Sequence, residues 1–298
     1  MYKYLYIYIN KYMTTKSYCI VYLASPKDRK IGCCNFESKF DILLASLKIT
    51  KKNLPLSDIY VFHEDFTDTE FDKLPQIKEY IKVDFSGHDE VFIEHVFPKG
   101  YILMCRFFSG ILQKYEQLQN YTHYMRLDDD SYFLEPMITQ EHIHKLLDFD
   151  YTYRTLFYDL KDHKSLFEFT INYLKNIGFE YFLPELYDNL KQINFLDHNN
   201  NYTGLSPYNN FHISSIKLWN HDYIKNYIEK IQYGNYILKN GWLDANIHSM
   251  IIFVIAPFSN LKIVHDGTFG YRHNKHFSFL NSTAFEWQGH LSFYPIVE

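Results

Sequence analysis

The sequence predicts an α/β domain, a mostly parallel central sheet flanked by helices. Strand-length apolar runs alternate with helical-period segments through the first half of the chain, and the second half continues the alternation. Three consecutive carboxylates, Asp128, Asp129 and Asp130, follow directly behind one apolar strand. Ligands of such sheets sit outside the carboxyl ends of strands, so these acids stand where a site is expected. No internal repeat and no linker rich in Pro, Gly or Ser divides the 298 residues, so a single domain is expected.

SYCIVYLA (17–24) is β-branched and aromatic and predicts a buried strand. FESKFDILLASLKIT (36–50) places Phe36, Phe40, Leu43, Leu44 and Leu47 at helical spacing. DIYVFHE (58–64) predicts a second strand, and Thr67 with Glu70 three residues later is a capping-box start for a short helix. YIKVDF (80–85) is a third strand, KGYILMCRFFSGILQKYEQL (99–118) a long buried helix, and THYMRL (122–127) the strand that ends at the acids. Beyond it come a strand at 151–158, a helical region from about 163 to 193 and an Asn-rich loop at 197–204. A strand at 211–219 follows, then a helix to about Gln232, a helix from Leu243 and a strand at 261–266.

The net charge of −5 lacks the basic footprint of a nucleic-acid binder, so no nucleic-acid partner is expected. An anionic substrate then needs a metal or a few local basic groups. The aromatic content of 19%, with abundant Asn, Lys and Ile, fits an AT-rich source such as a large DNA virus or a protist. Cys19, Cys33, Cys34 and Cys105 show no metal-type spacing and are read as reduced thiols. Residues 1–13 are too short and too interrupted for a membrane span and lack a signal-peptide cleavage site; no later stretch spans a bilayer. The sequons at Asn120, Asn201 and Asn281 are read as chance matches.

Two readings of the acids follow from residue chemistry. Asp is a favoured turn residue, so the run fits a solvated turn. Equally, carboxylates one residue apart face the same way in an extended segment, and oxygen ligands suit Mg²⁺ or Mn²⁺, whose shells substrate phosphates complete. Asp128 and Asp130 would then hold a cation that bridges to a nucleotide diphosphate and acts as a Lewis acid.

Three separated stretches carry a resemblance. YILMCRFFSG (101–110), YMRLDDDSYF (124–133) and GWLDANIHS (241–249) followed by FGYRH (269–273) resemble, in order and approximate spacing, the motifs of glycosyltransferase family 15, the fungal-type α-1,2-mannosyltransferases. The similarity runs from about residue 18 to 275. The resemblance implies a GT-A fold, a GDP-mannose donor, a Mn²⁺ cofactor (or Mg²⁺), a glycan or glycoprotein acceptor, and transfer with retention. It puts the metal ligands on Asp128, Asp130 and His273; His276, which makes an H-x-x-H pair with it, is treated as coincidence. Neutral imidazole is a good Mn²⁺ ligand; outside the resemblance a lone His273 reads as a surface histidine. Tyr101 matches a donor-site tyrosine, against the alternative of one more aromatic on a buried helix. Arg106 faces the diphosphate or pairs with a strand-end acid. Asp244 is either a helix N-cap or an acceptor-side carboxylate that binds or deprotonates a sugar hydroxyl. His248, a turn further on, reads as a packed structural histidine.

The resemblance departs from the family at one position that matters. YNNFHISS (208–215) aligns without gaps to a segment whose Glu is the family's proposed nucleophile or front-face stabiliser, and His212 stands in its place. A neutral imidazole stabilises an oxocarbenium ion poorly. Three outcomes are open: front-face attack assisted by the leaving diphosphate, a different donor or acceptor, or a nucleotide-sugar or glycan-binding protein with impaired turnover. The family's cysteine behind the acidic motif and its N-terminal membrane anchor have no counterpart, so a cytoplasmic or viral-factory location is expected. The domain limits expected are an extension at 1–16, a GT-A domain at 17–275 and a packed tail at 276–298.

Overall fold

The structure is a computed structural model that describes residues 17–25, 39–86, 91–93, 96–159, 163–273, 276–278, 285–287 and 290–292. The extension at 1–16, Cys33, Cys34, Asn281 and the first residues of the helix expected at 36 lie outside the described residues.

A seven-stranded sheet forms the centre. Its strands are β1 (Tyr18–Ala24), β2 (Asp58–His63), β3 (Glu79–Lys82), β4 (His123–Asp128), β6 (Tyr151–Tyr153), β9 (Phe211–Ser215) and β10 (Ile263–His265), in the order β10-β6-β9-β4-β1-β2-β3. All neighbours are parallel except β9, which runs against both β4 and β6. A strand within a parallel sheet buries both faces, which is why β1 reads as an unbroken apolar run. Cys19 and Val21 enter one core, and Tyr18, Ile20, Tyr22 and Ala24 enter the other. Helix Lys39–Asn53 covers the second face with Phe40, Leu43 and Leu47. The capping box at Thr67 and Glu70 forms as expected.

A second sheet, antiparallel throughout, has the order β14-β13-β12-β11-β5, with β5 at Ser131–Leu134, β11 at Gly270–His273, β12 at His276–Ser278, β13 at Phe285–Trp287 and β14 at His290–Ser292. It leaves the central sheet at the acidic turn. β7 (Leu156–Tyr158) and β8 (Leu205–Pro207) form a small antiparallel pair.

Several expected elements break in informative places. The helix expected over 99–118 is regular only from Lys99 to Arg106; the chain then widens, and Ser109 and Gly110 leave helical geometry. Gly110 has φ 116°, and a Cβ there would lie 2.2 Å from Cγ2 of Ile228, so both conformation and close packing require glycine. The strand expected at 151–158 divides at Arg154 into β6 and β7. The helical region at 163–193 is two helices, Lys164–Asn176 and Leu183–Gln192. The strand expected at 211–219 stops at Ser215, whose hydroxyl accepts from the Leu218 N–H and starts helix Ile216–Asn220.

Candidate metal and donor site

The site grows from the end of β4. Arg126 and Asp128 lie two residues apart on a strand and so face the same side. The Arg126 side chain is only 2% exposed. Its Nε donates to Asp128 Oδ1 at 3.0 Å and its NH1 to Asp244 Oδ2 at 2.5 Å, and its guanidinium carbon lies 3.5 Å from the centre of the Phe108 ring. Burial alone pushes the Asp128 carboxyl up, but the Arg126 guanidinium, with help from His273, outweighs it and holds the group at about 2.

Immediately after β4 the chain turns through Asp129 and Asp130 into β5. The Asp128 N–H donates to Ser131 Oγ at 3.1 Å, and Ser131 Oγ lies 2.7 Å from the Tyr271 hydroxyl. Those contacts tie the turn to β11, where His273 stands opposite Ser131. His273 Nε2 therefore reaches Asp130 Oδ1 at 2.8 Å and Asp128 Oδ2 at 3.4 Å. Its Nδ1 lies 2.9 Å from the Tyr208 hydroxyl. Burial works against charging this imidazole, yet the Tyr208 hydroxyl and the two carboxylates hold its pKa well above the usual histidine value. Asp129 takes no part in the cluster: it pairs with Lys39 Nζ at 3.0 Å.

Asp128, Asp130 and His273 each offer a ligand atom, and these atoms lie within 4.8 Å of one another. Two carboxylate oxygens and one imidazole nitrogen form a donor set that suits Mn²⁺. The fit extends outward. Tyr208 engages Nδ1 and so leaves Nε2 turned to the carboxylates, the usual support for a ligating histidine.

The trio stands at one end of a cavity of about 230 Å³. Tyr101, Lys39 and Leu23, which stands beside Asp128 in the β1–β4 ladder, line it, as do Glu64 and Phe85, which follow β2 and β3 further along the sheet. The sequence therefore places Tyr101, Asp128, Asp130 and His273 in one cavity. The other expected residues do not line it. Arg106 donates from Nε to Gln232 Oε1 at 3.0 Å. Asp244 is the first residue of helix Asp244–Ser249, capped by Leu243, so it is no N-cap. It is 2% exposed, bound by Arg126 and by Asn209 Nδ2 at 3.0 Å.

His212 lies directly across the β4–β9 ladder from Arg126 but beneath the cavity, with no exposed surface. Its Nδ1 is 3.1 Å from the Asn209 carbonyl and its Nε2 is 3.3 Å from the Tyr124 hydroxyl, and its ring stacks on Tyr151 at 5.1 Å. Burial, then His248 and Arg126, push its pKa well below the usual value, so it is a neutral packed ring. His248 is likewise enclosed: its Nδ1 lies 2.8 Å from the Tyr151 hydroxyl, and burial lowers its pKa to about 4.

Residues 81–287 match the profile of glycosyltransferase family 15, described as glycolipid 2-alpha-mannosyltransferase. The chain belongs to this family. The match starts later and reaches further than the motif resemblance, whose span was about 18 to 275. Glycolipid 2-alpha-mannosyltransferase 1 of Candida albicans is 26% identical over 191 residues, covering 59% of this chain and 40% of that protein. O-glycoside alpha-1,2-mannosyltransferase omh1 of Schizosaccharomyces pombe is 24% identical over 230 residues, covering 68% and 54%. The chain thus spans about half the length, or less, of these curated relatives. Among solved structures, core-mannan synthase A from Aspergillus fumigatus in its Mn/GDP form superposes with TM-score 0.63 at 15% identity, covering 95% of this chain and 82% of that one. The mannosyltransferase Ktr4p from Saccharomyces cerevisiae in complex with GDP superposes with TM-score 0.62 at 15% identity, covering 88% and 72%. The family 15 chain described here therefore has the GT-A type fold. Among the described residues no helix is long and apolar enough to cross a membrane.

Two functional residues escaped the sequence. Arg126 had a visible signal, an arginine inside an apolar strand two residues before an acid. Tyr208 had none, because only the folded chain brings it to His273.

Proposed function

We propose that this chain is a metal-dependent retaining glycosyltransferase that moves mannose from GDP-mannose to a hydroxyl of a glycan or glycoprotein. Residues 17–275 form its catalytic domain, preceded by an extension at 1–16 and followed by a tail at 276–298. The observation that carries the proposal is the Asp128–Asp130–His273 trio at the end of the cavity. Similarity to mannosyltransferases, two of them solved with GDP, supports the donor. Asp128, Asp130 and His273 would hold a Mn²⁺ or Mg²⁺ ion, which would supply Lewis-acid charge for a departing diphosphate. Arg126 keeps Asp128 ionised and aimed, Asp244 and Asn209 hold Arg126 in turn, and Tyr208 sets the His273 ring. The Tyr101 hydroxyl belongs to the donor side. Asp244 acts by positioning here rather than as an acceptor-side base, because Arg126 and Asn209 already engage it. With His212 neutral and beneath the cavity, no carboxylate stands at that position to attack the sugar. The acceptor hydroxyl then attacks the donor's own face as the carbon–oxygen bond to the diphosphate breaks, and the leaving phosphate oxygen takes the hydroxyl proton.

His212 also favours a second reading, a nucleotide-sugar or glycan-binding protein with impaired turnover. One experiment separates the two. Purified protein is given a panel of GDP- and UDP-sugars with Mn²⁺ or with chelator, and nucleotide release and thermal shift are read together. Mn²⁺-dependent release from GDP-mannose, lost in Asp130→Asn, is the expected result. A Mn²⁺-dependent shift without release, even with mannoside acceptors, supports the binder. No shift with any donor overturns both.

A further inference from the structure

We infer that Glu64 selects the base of the nucleotide and makes this site specific for guanine; the inference rests on the nucleotide-sugar reading above. Glu64 follows β2 directly and lines the same cavity as the metal trio. The strand order places it two strands from Asp128, with β1 between them. Two interstrand spacings are roughly 10 Å. That separation suits a nucleoside diphosphate whose phosphates lie at Asp128 and whose base lies at Glu64. Phe85, which follows β3, and Tyr101 line the cavity and supply aromatic surface for a flat ring.

Among the described residues the Glu64 carboxylate has no ion-pair partner. Among the described residues its one hydrogen bond comes from Ser25 Oγ at 3.3 Å. Among the described residues Lys82 pairs with Asp65 at 3.1 Å, and Lys39 pairs with Asp129 at 3.0 Å. A half-buried carboxylate is acceptor-only and needs donors. Guanine is the one common base whose pairing edge carries two adjacent donors, N1–H and the N2 amino group. They match the two oxygens of a carboxylate and form a charge-assisted bidentate pair. Uracil presents a single N3–H flanked by two carbonyl oxygens, and at least one of these would face a carboxylate oxygen. Adenine and cytosine place an acceptor nitrogen beside their amino group. The same carboxylate that attracts guanine therefore repels the alternatives, and discrimination comes from both effects.

The test is titration calorimetry of GDP, inosine diphosphate and UDP into the full chain at saturating Mn²⁺, for wild type and Glu64→Gln. Inosine diphosphate lacks only the N2 amino group. Wild type is expected to prefer GDP over inosine diphosphate by about tenfold and over UDP by more. In Glu64→Gln, GDP affinity should fall by roughly ten- to a hundredfold, the gap between GDP and inosine diphosphate should close, and UDP should bind no worse. Mn²⁺ binding and the melting temperature without nucleotide should stay put, which separates a binding effect from misfolding. Unchanged GDP affinity in Glu64→Gln overturns the inference and leaves the transferase reading intact. An equal loss for GDP and UDP also overturns it, by assigning Glu64 to the ribose hydroxyls. Failure of wild type to bind any nucleoside diphosphate removes the reading and the inference together.

Discussion

Replacing Arg126 with methionine keeps an unbranched chain against Phe108 but removes the guanidinium that bridges Asp128 and Asp244. Asp244 is the decisive partner. It is buried, and without Arg126 it keeps the Asn209 amide. Leaving one member of a buried pair uncompensated costs about 3–5 kcal/mol. Asp128 adds a second effect. Its carboxyl sits at about 2 in the folded chain against its usual 3.8, so it contributes stability above the unfolded value that is lost as pH falls through the folded one. That shift corresponds to about 2 kcal/mol at neutral pH, and Arg126→Met should remove most of it. Denaturant unfolding at pH 7 should therefore show Arg126→Met destabilised by at least about 3 kcal/mol. The double variant Arg126→Met/Asp244→Leu removes the stranded charge as well. It should lie well above the sum of the two singles, with a coupling of at least about 2 kcal/mol. A single-variant loss below about 1 kcal/mol, or additive singles, would refute the idea that Arg126 is held by these two acids.

Further outcomes follow from the same geometry. Tyr208→Phe removes the hydroxyl 2.9 Å from His273 Nδ1, so Mn²⁺ affinity by titration calorimetry should fall roughly tenfold with the fold unchanged; equal affinity would deny Tyr208 its orienting part. His248 is neutral in the fold, with its pKa lowered by burial from 6.5 to about 4. The unfolded chain binds the extra proton between these values, so stability is full above about pH 6.5 and drains away as pH falls toward 4, by about 3 kcal/mol. His248→Gln should flatten that slope in melting curves between pH 7 and 4.5, and an unaltered slope would place the acid sensitivity elsewhere.

Much of the fold was legible because the central strands bury both faces. β1, β2 and β4 announce themselves as continuous apolar runs, and the acids stand out because charge follows apolar residues without a break. The candidate metal ligands at the end of β4 and on β11 were readable through motifs, yet the way they meet was not. β5 and β11 are four residues each, too short for a periodic signal, and their pairing joins residues about 140 positions apart. The break at Ser109–Gly110 was missed because helical periodicity continues across it, and what forbids a regular helix is the close packing of Ile228. Arg106 and His212 were assigned to the chemistry by their places in motifs. Their surroundings, Gln232 for one and the layer of Tyr124, Tyr151 and His248 for the other, exist only after folding.

The reversal of β9 reaches beyond the sheet. In the six co-directional strands, the segments that leave each strand arrive at the cavity side; in β9 it is the segment that enters. Residues 208–210 thus come to the side of the Asp128–Asp130–His273 trio ahead of their strand, with the Asn210 carbonyl accepting from the Asp128 N–H at 3.2 Å. Helix Ile216–Asn220, which leaves β9, is sent to the far edge. Length changes between β8 and β9 would consequently remodel the chemical face of the molecule, whereas equal changes after Ser215 would be registered only at the opposite rim. An engineer seeking to reshape the cavity has, among the described strands, one crossing of the sheet where the usual rule of address is inverted, and a short insertion there acts on the centre of the molecule rather than on its periphery.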